Sequence, residues 1–309
     1  MTNVNPGLFT GGMGMESKYA TIMMFPPELR PKTVLARPGQ DFEEIKTAMK
    51  GEGLDFPLIA KPDIGYRGML VKKVKNELEL RAYLEKYPLD FLLQEFIDLP
   101  KEGGVLYYRY PDEERGKITS VTLKEFLTVK GDGESTVLEL VKKSDRALLQ
   151  LERLKENYAE VLQQVPPSGT EVPLGSIGNH SKGTAFINGN HLIDREMEDA
   201  FQKIVDQLEG IDYGRFDLKC TSYEDMKRGK NIKVIEINGI GAEPTHIYDP
   251  TKMSYFEAVG TITKHWKIIL NMSRKNRQIG IPRLKTSDLF RYLLKHRRYV
   301  KKINRINNL

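Results

Sequence analysis

The chain has a single cysteine, Cys220. It can therefore form no internal disulfide and no cysteine-rich metal site, and its cysteine usage suits a reducing compartment. Long apolar runs are also missing. The stretch around Trp266 to Leu270 falls far short of the roughly 18 residues a membrane-spanning helix needs. The opening MTNVNPGLFTGG lacks the basic-then-apolar order of a secretory signal. A cytoplasmic protein is the expectation. No internal repeat or low-complexity tract is visible, which argues against a repeat array. The P-loop pattern GxxxxGK[ST] is absent as well, so that mode of phosphate binding is excluded.

With 309 residues, 39% of them hydrophobic and 29% charged, the chain is globular in composition and long enough for two to three packed subdomains. Its net charge of +6 is unevenly placed: residues 271–309 hold twelve Lys or Arg against one acidic residue, Asp288. The rest is mildly acidic. A basic tail on an acidic body is a weak warrant for nucleic-acid binding by the whole protein.

Residues 1–52 read as a reduced lead-in, irregular apart from one short helix and a helix over 41–52 that buries Phe42, Ile45 and Met49. PLIAKP is a short buried strand ending at Lys61, and GYRGMLVKKV is a glycine-bounded turn feeding a second strand. A helix capped by Asn76 presents Leu78, Leu80, Tyr83 and Leu84. Strands FLLQEFI, GGVLYYRY and GKITSVTLKEFLTV follow, then a helical stretch over 145–163, a loop-rich region, and a helix over 196–208. YGRFDLKC and IKVIEIN are strands joined by a polar excursion, residues 254–271 are helical, and Trp266 packs into the core. From Ser287 a basic amphipathic helix carries Leu289, Phe290, Leu293 and Leu294 on its apolar side. The mixed order favours an α+β fold over a doubly wound parallel sheet.

Strand alternation locates the chemistry. Arg215 and Asp217 share one face of YGRFDLKC, and Glu236 and Asn238 share one face of IKVIEIN. If the two strands are antiparallel neighbours, two carboxylates and an amide oxygen converge beside a guanidinium. Such hard oxygen donors suit Mg²⁺ on a polyphosphate, where the metal takes few protein ligands. A lone strand carboxylate is usually solvated or paired with a lysine; four polar groups on matching faces of buried strands are harder to explain that way. Lys61, at a strand end before Gly65 and Gly68, can reach a phosphate while the glycine turn covers it. QEFIDLPKE offers extended backbone at Gln94 to Ile97 for a purine edge and Glu102 for ribose hydroxyls.

These four blocks resemble the ATP-grasp superfamily, in the branch of the D-alanine–D-alanine and other carboxylate–amine ligases. They occur in family order across residues 55–250. The resemblance implies two α+β subdomains gripping the nucleotide between antiparallel sheets. The ATP-grasp domain would span 53–270 (first subdomain about 53–95, second about 96–270), followed by a basic helical tail over 271–309. It implies Lys61 with Gly65 and Gly68 on the phosphates. Gln94, Glu95, Phe96 and Ile97 would bind adenine, and Glu102 ribose, with Lys124 also in the nucleotide set. Arg215 would face the transferred phosphate, and Asp217, Glu236 and Asn238 would hold one or two Mg²⁺ ions, with Mn²⁺ as a substitute. Only 60 residues precede Lys61, too few for the branch's amino-terminal substrate domain, and GYRG lacks the serines of the D-alanine ligases. Arg109, and Asn179, His180 and Lys182 in a glycine-flanked polar loop, are the candidates for substrate contact; His246 lies near the metal strand.

The expected activity joins a small-molecule or carrier-bound carboxylate to an amine or thiol through an acyl phosphate. The competing expectation is a non-catalytic ATP-grasp-like protein that binds nucleic acid or an anionic membrane through its basic tail. Oligomeric state has no sequence signal.

Overall fold

The computed structural model of the protein describes residues 1–65, 68–175, 178 and 182–307. Its architecture is α+β with antiparallel sheets. The smaller sheet contains β1 (Thr33–Ala36), β2 (Leu58–Pro62), β3 (Lys72–Val74) and β4 (Phe91–Glu95), in the order β1-β4-β2-β3. The larger contains β5 (Lys101–Tyr108), β6 (Lys117–Glu125), β9 (Ala185–Asn188), β10 (Tyr213–Cys220) and β11 (Ile232–Asn238), in the order β11-β10-β5-β6-β9. A separate ribbon pairs β7 (Thr128–Lys130) with β8 (Glu171–Pro173). Residues 96–100, between β4 and β5, carry the chain from the smaller sheet to the larger.

The helices follow local signals where those are strong. Helix α1 (Lys18–Met23) starts at Ser17, whose hydroxyl accepts from the Ala20 amide. Helix α2 (Phe42–Glu52) is capped by Asp41 and ends at Gly53, whose φ of 61° is the left-handed conformation a glycine adopts without strain. Asn76 caps α3 (Glu77–Lys86) as expected, through a 2.9 Å bond from the Glu79 amide. Leu80 and Tyr83 are buried on its inner face, but Leu78 is 78% exposed. It lies two residues from Leu80, and two residues of helix are about 200° of rotation.

Other expectations need correcting. The stretch 145–163 is not one helix: after α4 (Val137–Lys142) it breaks into α5 (Asp145–Leu148), α6 (Leu151–Asn157) and α7 (Ala159–Leu162). The break before α7 falls at Tyr158, whose φ of −135° is not helical. Helix α8 (Arg195–Val205) buries Met197, Phe201, Ile204 and Val205 against Phe216 and its neighbours on the larger sheet. After α9 (Tyr223–Lys227), α10 runs over Tyr255–Gln278, past its expected end, because Met272, Ser273 and Asn276 are themselves buried. Trp266 is 58% exposed; the inward face of this helix holds His265, Ile268 and Ile269 instead.

The lead-in is an integral part of the fold. Asn5 accepts from the Asp212 and Tyr213 amides at 2.9 and 2.8 Å and donates to the Tyr213 and Gly11 carbonyls. It thus acts as a side-chain extension of the β10 ladder. Asn3 bonds across to the Ser273 carbonyl of α10 at 3.1 Å. Strand β1, read as irregular, pairs with β4 from Thr33↔Gln94 to Ala36↔Phe91; its four residues, TVLA, are too few to show alternation.

The basic tail forms α11 (Thr286–Asn307). Of its expected apolar side, Leu289 is half-buried while Phe290, Leu293 and Leu294 are exposed. Its packed stripe is Tyr299, Ile303 and Ile306 on the core of the smaller sheet, with Ile303 fully buried. Tyr299 donates to the Ile64 carbonyl at 2.7 Å, and the Tyr292 hydroxyl accepts from the Met15 amide at 2.7 Å. Tyrosines interleaved with lysines and arginines hide this stripe from a simple apolar count. Ile303→Ala should therefore cost about 2–4 kcal/mol, the range for removing buried branched carbons, measured by urea denaturation. A loss below about 0.5 kcal/mol, the level of an ordinary surface change, would show that α11 does not hold the smaller sheet.

Candidate functional site

The β10–β11 register answers the question the sequence left open. The strands are antiparallel neighbours, with Arg215 opposite Asn238 and Asp217 opposite Glu236. On its other side β10 pairs with β5, placing Gly104 opposite Asp217. A Cβ at Gly104 would stand 3.1 Å from Asp217 Oδ1 and 3.4 Å from Arg215 Cδ, so the glycine leaves room for the charged pair above it.

Asp217 is the hub. Arg215 donates to both its oxygens, Nε to Oδ1 at 3.1 Å and Nη2 to Oδ2 at 2.9 Å. Asn238 Nδ2 donates to Oδ2 at 3.0 Å, and Lys124 Nζ stands 3.3 Å from Oδ1. Burial alone would raise the Asp217 carboxyl, but the Arg215 guanidinium and then Lys124 more than reverse this and hold it well below the usual carboxylate range. Lys124 is itself buried, which disfavours its charge, yet Asp217 and Glu102 together raise its pKa. Its second partner is Glu102 Oε1, at 2.9 Å.

Lys61 lies on the opposite wall. Its ammonium donates to Gln94 Oε1 at 2.9 Å and to the Ile235 carbonyl at 3.1 Å, one acceptor on each sheet. Burial dominates its titration and lowers it to about 8, only partly offset by Glu236. Glu236 behaves oppositely: burial raises its carboxyl, but Lys18 and then Lys61 pull it below its ordinary value.

Between the sheets is a cavity of about 740 Å³. Gly65, Gly68, Gln94 and Glu95 line its smaller-sheet side, with Phe96 and Ile97 from the connection. Glu102, Lys124, Arg215, Asp217, Glu236 and Asn238 line the other. All of these were singled out from sequence. Glu102, the expected ribose contact, is 3% exposed and committed through Oε1 to Lys124.

Arg109 is not among the cavity residues. It follows the last residue of β5, at the opposite end from Glu102, and pairs with Asp206 at 2.6 Å and Asp212 at 3.4 Å. Lys182 is partly buried near Arg153 and is not among the cavity residues; Asn179 and His180 lie outside the described residues. His246 is buried against Ser120, Nδ1 to Oγ at 2.7 Å, and burial lowers its pKa, favouring the neutral ring. Cys220 is buried and its thiol is pushed up to about 12 by that burial, so it offers no thiolate.

Sequence reasoning missed Lys18, whose ammonium pairs with Glu236 inside the cavity. It also missed Gly12, Glu16 and Glu243 on the cavity wall. Lys18 and Glu236 are 218 residues apart, so no spacing rule could join them. The available signal was Ser17 as a helix cap, which fixes where the next side chain points.

Asp217, Glu236 and Asn238 supply oxygen donors only, a set that fits a hard divalent cation bringing most of its remaining oxygens from water or phosphate. Among the described residues no group of three or more His, Cys, Asp or Glu forms a metal-holding cluster. Here the third donor is an amide.

No protein-family model matches the chain, and no curated protein matches it. Solved structures do. The D-alanine–D-alanine ligase of Bacillus anthracis aligns at 15% identity and a TM-score of 0.48 over 87% of this chain and 70% of that one. The bifunctional glutathione synthetase of Pasteurella multocida aligns at 17% identity and 0.42, over 85% and 38%. The VanG D-Ala:D-Ser ligase of Enterococcus faecalis aligns at 16% and 0.43, over 84% and 61%. The chain thus spans less than two thirds of the latter two proteins. What the cleft does is read from its own residues.

Two outcomes follow from these charges. Asp217→Asn strips a buried anion from Arg215 and Lys124 and should destabilise the fold by about 3–5 kcal/mol; equilibrium denaturation showing under about 1 kcal/mol would mean the pairs are solvated. Lys61 carries its charge below a pH of about 8 and loses it above. Binding of tripolyphosphate, followed by calorimetry, should therefore weaken as pH rises through that value, and Lys61→Met should flatten this part of the profile. An unchanged profile in the variant would place the titration elsewhere.

Proposed function

We propose that the chain is an ATP-grasp enzyme, an ATP- and Mg²⁺-dependent ligase that joins a carboxylate to an amine or thiol through an acyl phosphate. The observation that carries this reading is the convergence of Lys61, Lys124 and Arg215 from two sheets on one cavity that also holds Asp217 opposite Glu236. Cations on both walls and oxygen donors beside those of the larger sheet suit a metal-bound polyphosphate.

In this reading, backbone at Glu95 to Ile97 takes the adenine edge. Glu102, bonded to Lys124 through one carboxylate oxygen, takes the ribose hydroxyls with the other. Lys61 and Arg215 place fixed positive charge on the phosphates, where attack by the substrate carboxylate on the terminal phosphorus releases ADP. The amine or thiol then attacks the acyl carbon and releases phosphate. Mg²⁺, when bound, neutralises charge on the transferring group. Asp217, Glu236 and Asn238 would hold it, beside Lys18 on Glu236 Oε1. Gly65 and Gly68 line the cavity beside the phosphates, where their lack of side chains lets backbone approach. No covalent nucleophile is needed, in keeping with the raised Cys220 thiol.

The second reading, a non-catalytic protein that binds nucleic acid or anionic membrane through residues 271–309, draws on the exposed lysines and arginines of α11. It gives the cavity no role. No helix among the described residues is long and apolar enough to cross a membrane. The deciding experiment incubates the protein with Mg·ATP and pooled acids and amines and follows ADP release. Glu236→Gln should abolish release while weakening nucleotide binding much less, since the adenine and ribose contacts remain. Full turnover by a folded Glu236→Gln variant would overturn the mechanism.

A further inference from the structure

Lys18 is a charged group in the cavity that the function above leaves without a role, and its backbone is held by several contacts. The start of α1 is clamped by Asp63, two residues beyond Lys61 on the same strand end. The Asp63 carboxylate accepts from the Ser17 hydroxyl at 2.9 Å and the Tyr19 amide at 2.8 Å, while its carbonyl accepts from the Lys18 amide at 3.1 Å. Three successive residues are thus fixed by one partner. From that anchor the Lys18 side chain crosses Gly65, where a Cβ would stand 2.6 Å from Lys18 Cε. A side chain there would push the flexible end of the lysine aside, so the glycine leaves room for the path seen. The ammonium ends on Glu236 Oε1, with the lysine side chain 23% and the glutamate side chain 30% exposed.

An exposed ion pair between two long side chains is ordinarily loose, because ordering both costs entropy. Here one partner is held at its backbone and the other projects from a sheet, so the pair is preorganised. We propose that Lys18 is a positioning residue that acts through Glu236: a tethered counter-cation that occupies this carboxylate until a divalent metal displaces it. This rests on the metal reading of Glu236 given above. Lys18 on Oε1 and a divalent cation on the same carboxylate repel each other in a partly desolvated cleft. Lys18 therefore competes with free metal, and the cleft takes up metal readily only together with a polyphosphate, whose charge accommodates both cations. The amino-terminal segment is then part of the ligand site, and it biases the protein against binding metal alone.

The test measures Mn²⁺ binding to the full chain without nucleotide, by calorimetry or by the spin-resonance signal of free Mn²⁺. Removing the competitor in Lys18→Met should tighten Mn²⁺ at least about fivefold, the lower end of typical couplings between ligands at linked sites. Lys18→Arg, which keeps the charge, should stay near wild type, and Lys18→Gln carries the same expectation as Lys18→Met should the latter fail to fold. Glu236→Gln serves as the control and should weaken Mn²⁺ binding. If Glu236→Gln weakens it but Lys18→Met leaves it unchanged or weaker, the competition is wrong while the metal reading stands. If Glu236→Gln changes nothing, the metal is not at Glu236 and both fall.

Discussion

A buried carboxylate with two cations against it is the constraint around which this molecule is organised. Asp217 accepts from Arg215 through both oxygens and stands beside Lys124. None of these three groups is affordable in a protein interior by itself. Their mutual compensation is what allows β10, β5 and β6 to run side by side with charge in the middle of the sheet. Gly104 is the complement of that arrangement, a position without a side chain beneath the pair. On the facing wall the logic is repeated more weakly: Lys61 is satisfied by two uncharged oxygens, Gln94 Oε1 and the Ile235 carbonyl, and burial correspondingly lowers its hold on its proton. One wall is locked by charge balance, and the other keeps a cation ready for an anion.

How much of this was legible beforehand depends on the range of each interaction. The β10–β11 pairing was readable because alternation within each strand placed its polar residues on one face, and only adjacency had to be supplied. The cleft residues from Lys61 to Glu102 were readable as strand ends and a connection. Arg109 was misjudged because a strand position gives no hint of which end faces the cleft; Asp206 and Asp212 claim it far from Glu102. Lys18 escaped because the start of α1 is oriented by Asp63, and its charge partner lies 218 residues on.

The helices show the same division. Asn76 and Asp41 sit where their caps predict, since a cap is a contact over two or three residues. On α11 the apolar residues Phe290, Leu293 and Leu294 stay exposed, while Tyr299 and Ile303 meet the smaller sheet. Burial of a helix face is decided by the surface it meets, and that surface is assembled from strands more than 200 residues earlier in the chain.

The chain passes between its two sheets more than once. Residues before β1 pack on the larger sheet, as Ile22 and Phe25 do, while β1 to β4 make the smaller; α10 returns to the larger, with Ile268 and Met272, and α11 to the smaller, with Ile303. Neither core is contiguous in sequence. In kinetic terms, contacts such as Asn3 with Ser273, separated by 270 positions, close only once most of the chain is in place, and non-local closures of this kind slow assembly. During synthesis the apolar face that Ile303 closes waits until α11 has emerged, and for that interval the smaller sheet stands open to other chains.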